Sequence, residues 1–208
     1  MATTTNDQGT AKAGAQVGRS VPRLEAREKV TGRAEYTHTM RLPNMLTAKI
    51  FRSTVAHGKI KSIDTSAAKA LPGVAHVITI EDVMKVIPDP YYGPAFHDQP
   101  ILSHQKVRFV GEAVAMLVAT SAAAAHDAAE AVQVEYRDLP HVTRAVDAMQ
   151  PGAPQLHDNA PGNRVPDFGT GSDEAAVDAA IKAAPRVVKL SLYNNRVVAN
   201  PMESRTAI

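Results

Sequence analysis

The stretch Pro100–Pro140, PILSHQKVRFVGEAVAMLVATSAAAAHDAAEAVQVEYRDLP, decides how the chain folds. Lys106-Val-Arg-Phe-Val110 alternates polar and apolar residues, the period of a half-buried strand. Gly111-Glu112 interrupts it. Ala113-Val-Ala-Met-Leu-Val-Ala119 is a continuous apolar run, suited to a strand covered on both faces. Ser121 is placed to cap a helix over residues 122–131. The residues at 122, 125, 128, 129 and 132 share one face of it, and alanine there lets the helix axis approach a sheet closely. Val132-Gln-Val-Glu-Tyr136 alternates again. Leu139-Pro140 closes it, because proline cannot donate to a ladder. The unit reads as strand, tight turn, strand, helix, strand.

On the N-terminal side, residues 45–53 (MLTAKIFRS) and 59–63 (KIKSI) read as strands. Asp64-Thr65-Ser66 supplies cap chemistry for a short helix over 67–71, stopped by Pro72-Gly73. Residues 74–79 form a third strand and 81–86 one helical turn. Pro88–Pro94 is a loop, since three prolines and a glycine allow little else. On the C-terminal side a short helix is expected near 142–149, then a proline-rich loop over 151–171. Ser172 or Asp173 caps a helix to Ala184, and Arg186–Leu192 is a final strand. The first 17 residues, rich in Thr, Ala and Gly, offer nothing large to bury and are expected to be disordered. Residues 22–31 (PRLEAREKVT) alternate in charge and read as an exposed lead-in. Helices and strands alternate, so the class is α/β or α+β. We assign α+β, a mixed sheet packed with short helices.

Composition bounds the chemistry. The chain has 208 residues, 44% hydrophobic and 21% charged, with a net charge of +2, an ordinary globular balance. No basic stripe interleaved with aromatics suggests nucleic acid. No apolar run approaches a membrane span, and the N-terminus lacks a basic-then-apolar signal. There is no cysteine, which excludes disulfides, thiolate nucleophiles and any iron–sulfur cluster ligated by this chain. Neither GxGxxG after a strand nor GxxxxGK[ST] occurs. Phe168-Gly-Thr-Gly-Ser172 precedes a helix and could hold an anion, but reads first as a loop and cap. The eight histidines, among them His57, His76, His97, His104, His126, His141 and His157, include no HExxH pair and indicate no metal site. Ser53-Thr-Val-Ala-His57 has the outline of a nucleophile and base without an acidic third member. Glu112 reads as a turn or surface carboxylate rather than a general base. No catalytic or metal-binding residue is assigned from residue chemistry.

A series of blocks in fixed order gives more. Thr31-Gly32-x-Ala34-x-Tyr36, Leu42-Pro43-x-Met45-Leu46, Arg52-Ser53, His57, Ile60-x-Ser62-Ile63-Asp64, Leu71-Pro72-Gly73-Val74 and Glu81-Asp82 resemble the start of the large subunit of molybdenum hydroxylases. Asp98-Gln99-Pro100, Val107-Arg108-Phe109-Val110-Gly111-Glu112-x-Val114-Ala115 and Tyr136-x-x-Leu139-Pro140 resemble the blocks that follow. This is the xanthine dehydrogenase and aldehyde oxidase family, and the region is similar to its α/β hammerhead domain. His38-Thr39 departs from an acidic pair common in such proteins. Gly32, Gly73 and Gly111 each fall at an expected strand boundary, where a positive φ is needed.

The resemblance implies a division into a leader (1–17), a hammerhead domain (18–150), a linker and helix (151–184) and the start of a truncated molybdopterin-binding domain (185–208). Asn195-Arg196-x-x-x-x-Pro201-Met202-Glu203 is similar to the first strand of that last domain. Glu203 matches that opening segment, not the family's catalytic glutamate, so it takes no catalytic role. The parent protein is implied to be a molybdenum-dependent hydroxylase or dehydrogenase acting on an aldehyde or an N-heterocycle. Molybdopterin, in its cytosine dinucleotide form, would serve the parent enzyme, with [2Fe-2S] clusters and FAD on partner subunits or domains. This chain would hold none of them alone and would be inactive by itself. Its partners would be iron–sulfur and flavin subunits and the missing molybdopterin-binding domain, in the cytoplasm or co-exported with a partner. A non-catalytic interaction module or a split-gene subunit is the alternative.

Overall fold

The computed structural model describes residues 18–93, 96–165, 169–195, 197, 203 and 206–208. The leader expected to be disordered, residues 1–17, lies outside the described residues. The chain forms two units: residues up to Leu42 together with Tyr193–Ile208, and Pro43–Leu192.

In the first unit the lead-in segment contains a five-residue helix, α1 (Ala26–Val30), which buries none of its residues. The helix was not expected from the charge alternation. The ammonium of Lys29 meets Glu25 Oε1 at 3.0 Å across one turn, the spacing that rewards a helical conformation. A short 3-10 turn follows at Thr37–Thr39. There the Thr37 N–H donates to Glu203 Oε1 at 3.3 Å.

The second unit contains β1 (Thr47–Arg52), β2 (Gly58–Asp64), α2 (Ser66–Ala70), β3 (Val74–Ile78), α3 (Ile80–Val86), β4 (Tyr91–Tyr92), β5 (Gln99–Pro100) and β6 (Lys106–Val107). β7 (Ala113–Ala119), α4 (Ala122–Glu130), β8 (Gln133–Asp138), α5 (Ala145–Ala148) and α6 (Glu174–Ala183) complete it. The strands form three small sheets, ordered β1-β7-β3, β6-β2-β8 and β4-β5. The ladders within them run antiparallel. The class is α+β, as expected.

The apolar run Ala113–Ala119 is the central strand of the first sheet, with no exposed residue along it. Ser121 adopts an extended conformation and its hydroxyl accepts from the Ala124 N–H at 3.1 Å, satisfying one of the free donors at the start of α4. Ala125, Ala128 and Ala129 are buried and bring α4 onto the sheet. Ala128 and Ala129 pack with Leu117, Val77, Val132 and, from α2, Ala68. Ala122, the remaining member of the expected face, is exposed.

The strand expected over 106–110 stops after Val107. The Arg108 N–H donates to Glu112 Oε2 instead of to a neighbouring strand, so the ladder cannot continue and the chain turns through Phe109–Gly111. Gly111 closes the turn with φ +96°, and its N–H donates to the Ser53 carbonyl at 2.8 Å. A side chain there would meet nothing within 4 Å, so the cost of one is purely conformational. Gly111→Val is expected to destabilise by about 1–2 kcal/mol, and an unchanged thermal melt would overturn this account. At Gly73 (φ +83°) a Cβ would also lie 2.9 Å from Thr120 Oγ1.

The loop expected over 88–94 contains the short strand β4, paired with β5 across Tyr91–Pro100 and Tyr92–Gln99. Arg186–Leu192, expected as a final strand, joins no ladder. Val187, Val188, Leu190 and Leu192 are all exposed. The apolar spacing suits a strand, but the backbone has no neighbour in this unit to bond to, and an isolated strand is not stable in water. Helix α6 is capped by Asp173, whose Oδ1 accepts from the Ala176 N–H at 3.1 Å, and none of its residues is buried. Among the described residues no helix is long and apolar enough to cross a membrane.

Candidate functional site

Pairing of β2 with β6 and β8 places the Gly58 end of β2 opposite Val107 and Asp138. Beyond that end, residues 139–140 and the loop at 154–158 close the walls of a cleft of about 480 Å³. His57, Lys59, His104, Lys106, Arg108 and Asp158 supply its polar lining. Gln105, also in the wall, has φ +64°, an uncommon conformation for a residue other than glycine. It is held there because its carbonyl accepts from the Ile60 N–H at 2.8 Å.

The turn at 108–112 fastens one wall. Glu112 is 6% exposed, so it is not the surface carboxylate expected from its place in a turn. Its Oε1 accepts from Arg108 Nη1 at 2.9 Å, and its Oε2 accepts from the Arg108 N–H. Arg108 Nη1 also donates to the Lys106 carbonyl at 3.3 Å. The Ser53 N–H donates to the Glu112 carbonyl at 2.8 Å, which ties the end of β1 to the turn. Nε of Arg108 is buried with no hydrogen-bond partner. Lys106 Nζ lies 3.2 Å from Asp158 Oδ1, with the lysine side chain 14% exposed and the aspartate 93% exposed. Such a pair is loosely held on the carboxylate side.

Arg108 and Lys106 also face a neighbouring recess with His97, Asp98 and His157. Burial holds the His157 imidazole below its ordinary pKa; Arg108 and, less strongly, Lys106 push the same way, while Asp98 and Glu112 oppose them. The imidazole is therefore neutral at pH 7, beside two fixed cations.

Ser53 and His57 are both buried but do not form a nucleophile–base pair. The Ser53 hydroxyl donates to the Val55 carbonyl at 3.0 Å and accepts from the Val55 N–H at 3.2 Å, a local turn that commits its one proton to the backbone rather than to His57. His57 Nδ1 donates to the Pro140 carbonyl at 2.7 Å. His76, His97, His126 and His141 are exposed and lie apart. No group of three or more His, Cys, Asp or Glu side chains among the described residues could hold a metal ion. Glu203 accepts from Thr37 in the first unit. The Phe168–Ser172 loop begins outside the described residues. The helix after it carries the Asp173 carboxylate at its own N-terminus, where a bound anion would be repelled. Sequence reasoning missed the convergence of Lys59, Lys106 and Arg108. Alternation along each segment does not show which residues pair, and only the register of β2 with β6 sets Lys59 opposite Lys106.

Residues 31–140 match the family described as "Aldehyde oxidase and xanthine dehydrogenase, a/b hammerhead domain". The chain belongs to this family. This hammerhead chain is 35% identical over 200 residues to the carbon monoxide dehydrogenase large chain of Hydrogenophaga pseudoflava, covering 88% of this chain and 24% of that protein. It is 37% identical to the nicotine 6-hydroxylase large subunit of Paenarthrobacter nicotinovorans, covering 91% of this chain and 23% of that one. Among solved structures, reconstituted CO dehydrogenase from Oligotropha carboxidovorans superposes with a TM-score of 0.69 at 34% identity, over 81% of this chain and 22% of that one. The hammerhead chain thus spans about a quarter of the length of the curated relatives it matches.

Proposed function

We propose that this chain is the N-terminal part of the large subunit of a molybdenum-dependent hydroxylase or dehydrogenase, oxidising an aldehyde or an N-heterocycle. The observation that carries it is the correspondence with a carbon monoxide dehydrogenase large chain over 88% of this chain and only 24% of that protein. On this reading residues 18–150 are the hammerhead domain, 151–184 a linker and helix, and 185–208 the opening of a molybdopterin-binding domain. The exposed apolar row Val187, Val188, Leu190 and Leu192 supports that last assignment, since such a row suits a strand awaiting its sheet.

The residues of this chain do not fit the cofactors by themselves. It has no cysteine to ligate a [2Fe-2S] cluster. The helix start at residues 173–174, read as a loop and cap, is capped by a carboxylate, which would repel an anion there. Molybdopterin, in its cytosine dinucleotide form, therefore belongs to sequence outside the hammerhead. The iron–sulfur clusters and FAD belong to partner subunits or domains of a cytoplasmic complex. The role of this chain is to pack against the cofactor-bearing part and position it. The alternative is a split-gene subunit or interaction module without catalysis of its own.

The test is metal content and turnover. Purified alone from a host that makes the cofactor, the 208-residue chain is expected to carry no molybdenum and to show no dye-linked oxidation of an aldehyde or of nicotine. Stoichiometric molybdenum in the isolated chain overturns the reading. Sequencing the reading frame past Ile208 separates the two forms: continuation into glycine-rich cofactor motifs supports the large subunit, and an immediate stop supports the split subunit.

A further inference from the structure

We propose that the cleft between Lys59, Lys106 and Arg108 binds a compact oxyanion, a phosphate or a carboxylate. Three cationic side chains line it against one lining carboxylate, Asp158. Asp158 is 93% exposed and offers Lys106 only a contact at 3.2 Å, which a better-placed oxyanion can replace at little cost. Glu112, which does not line the cleft, pairs with Arg108 through Nη1. Nε of the same guanidinium is left buried without a partner, an arrangement that costs free energy until an acceptor reaches it.

Two of the three cations are held in place, while Lys59 is exposed. Lys106 sits on β6, opposite Lys59 on β2, and its side chain is 14% exposed. Arg108 is 16% exposed and anchored at its backbone and at Nη1 by Glu112. A preorganised pair of this kind binds an oxyanion without first spending side-chain entropy. Burial chiefly disfavours the protonated form of the neighbouring His157, and Arg108 and Lys106 add to it against Asp98 and Glu112.

The experiment is a two-dimensional NMR titration of the 208-residue chain with sodium phosphate or sodium succinate at constant ionic strength, balanced with chloride. Saturable shifts at the amides of 58–60 and 105–108 are expected. The His157 titration midpoint should also move up as the bound charge offsets the cations. Response to phosphate alone or to succinate alone identifies the oxyanion, and either supports the site. Lys59→Met and Lys106→Met should each weaken binding about tenfold. Lys106→Arg, which keeps the charge, should retain it. Lys61→Met, on the same strand but paired with Glu135 at 2.6 Å, should leave it unchanged. Shifts that track chloride equally, that fail to saturate, or that fall as much in Lys61→Met as in Lys106→Met overturn the proposal.

Discussion

Glu112→Ala is expected to destabilise the larger unit by about 3–5 kcal/mol. The Glu112 side chain is 7% exposed and its partner Arg108 16% exposed, so removing the carboxylate leaves a desolvated guanidinium unpaired. It also strips the Arg108 N–H of its acceptor, and an orphaned buried donor costs a further share. The loss is not recoverable by rotation of Arg108 to solvent alone, because the backbone donor stays behind. Glu112→Gln keeps an acceptor for that N–H and should cost about 1–3 kcal/mol. Replacing both partners with apolar residues, Arg108→Met with Glu112→Leu, should recover the share due to the unpaired guanidinium but not that of the orphaned backbone N–H. Urea unfolding of the four proteins checks the order. A Glu112→Ala variant as stable as the parent would mean that the pair is solvated in solution.

Leu117→Ala should cost about 3–5 kcal/mol. Leu117 is fully buried on the central strand and packs with Ala68, Val77, Ala128, Ala129 and Val132. Every member of that group is alanine or valine. Alanine has no rotamer with which to fill a cavity, and valine on a strand has few. The cavity should therefore persist, which places the cost toward the upper end of the range for such truncations. The melting temperature should fall by roughly 10 °C for a chain of this size. Leu117→Met, nearly equal in volume, should cost under about 1.5 kcal/mol. Comparable losses from the two substitutions would show that shape rather than cavity volume governs the site.

Local signals determined much of this fold. The apolar run 113–119 could be satisfied only by cover on both faces, and it is the central strand. Ser121 and the spacing of Ala125, Ala128 and Ala129 specified both the start of α4 and its buried face. Gly73 and Gly111 marked positive-φ strand boundaries, at +83° and +96°, whereas Gly32, at +70°, follows α1 with no strand beside it. These features depend on the backbone and on nearest neighbours, so the order of residues carries them.

Features that depend on a distant partner were decided by the tertiary structure alone. Residues 106–110 and 186–192 were both expected as strands, yet 106–107 found β2 and 186–192 found nothing in its unit. A strand exists only where a second backbone completes its hydrogen bonds. Glu112 read as a surface carboxylate because neither its burial nor the clamp it forms on Arg108 is written in its immediate neighbours. Lys59 and Lys106 stand far apart along the chain, and the antiparallel register of β2 and β6 alone brings them face to face.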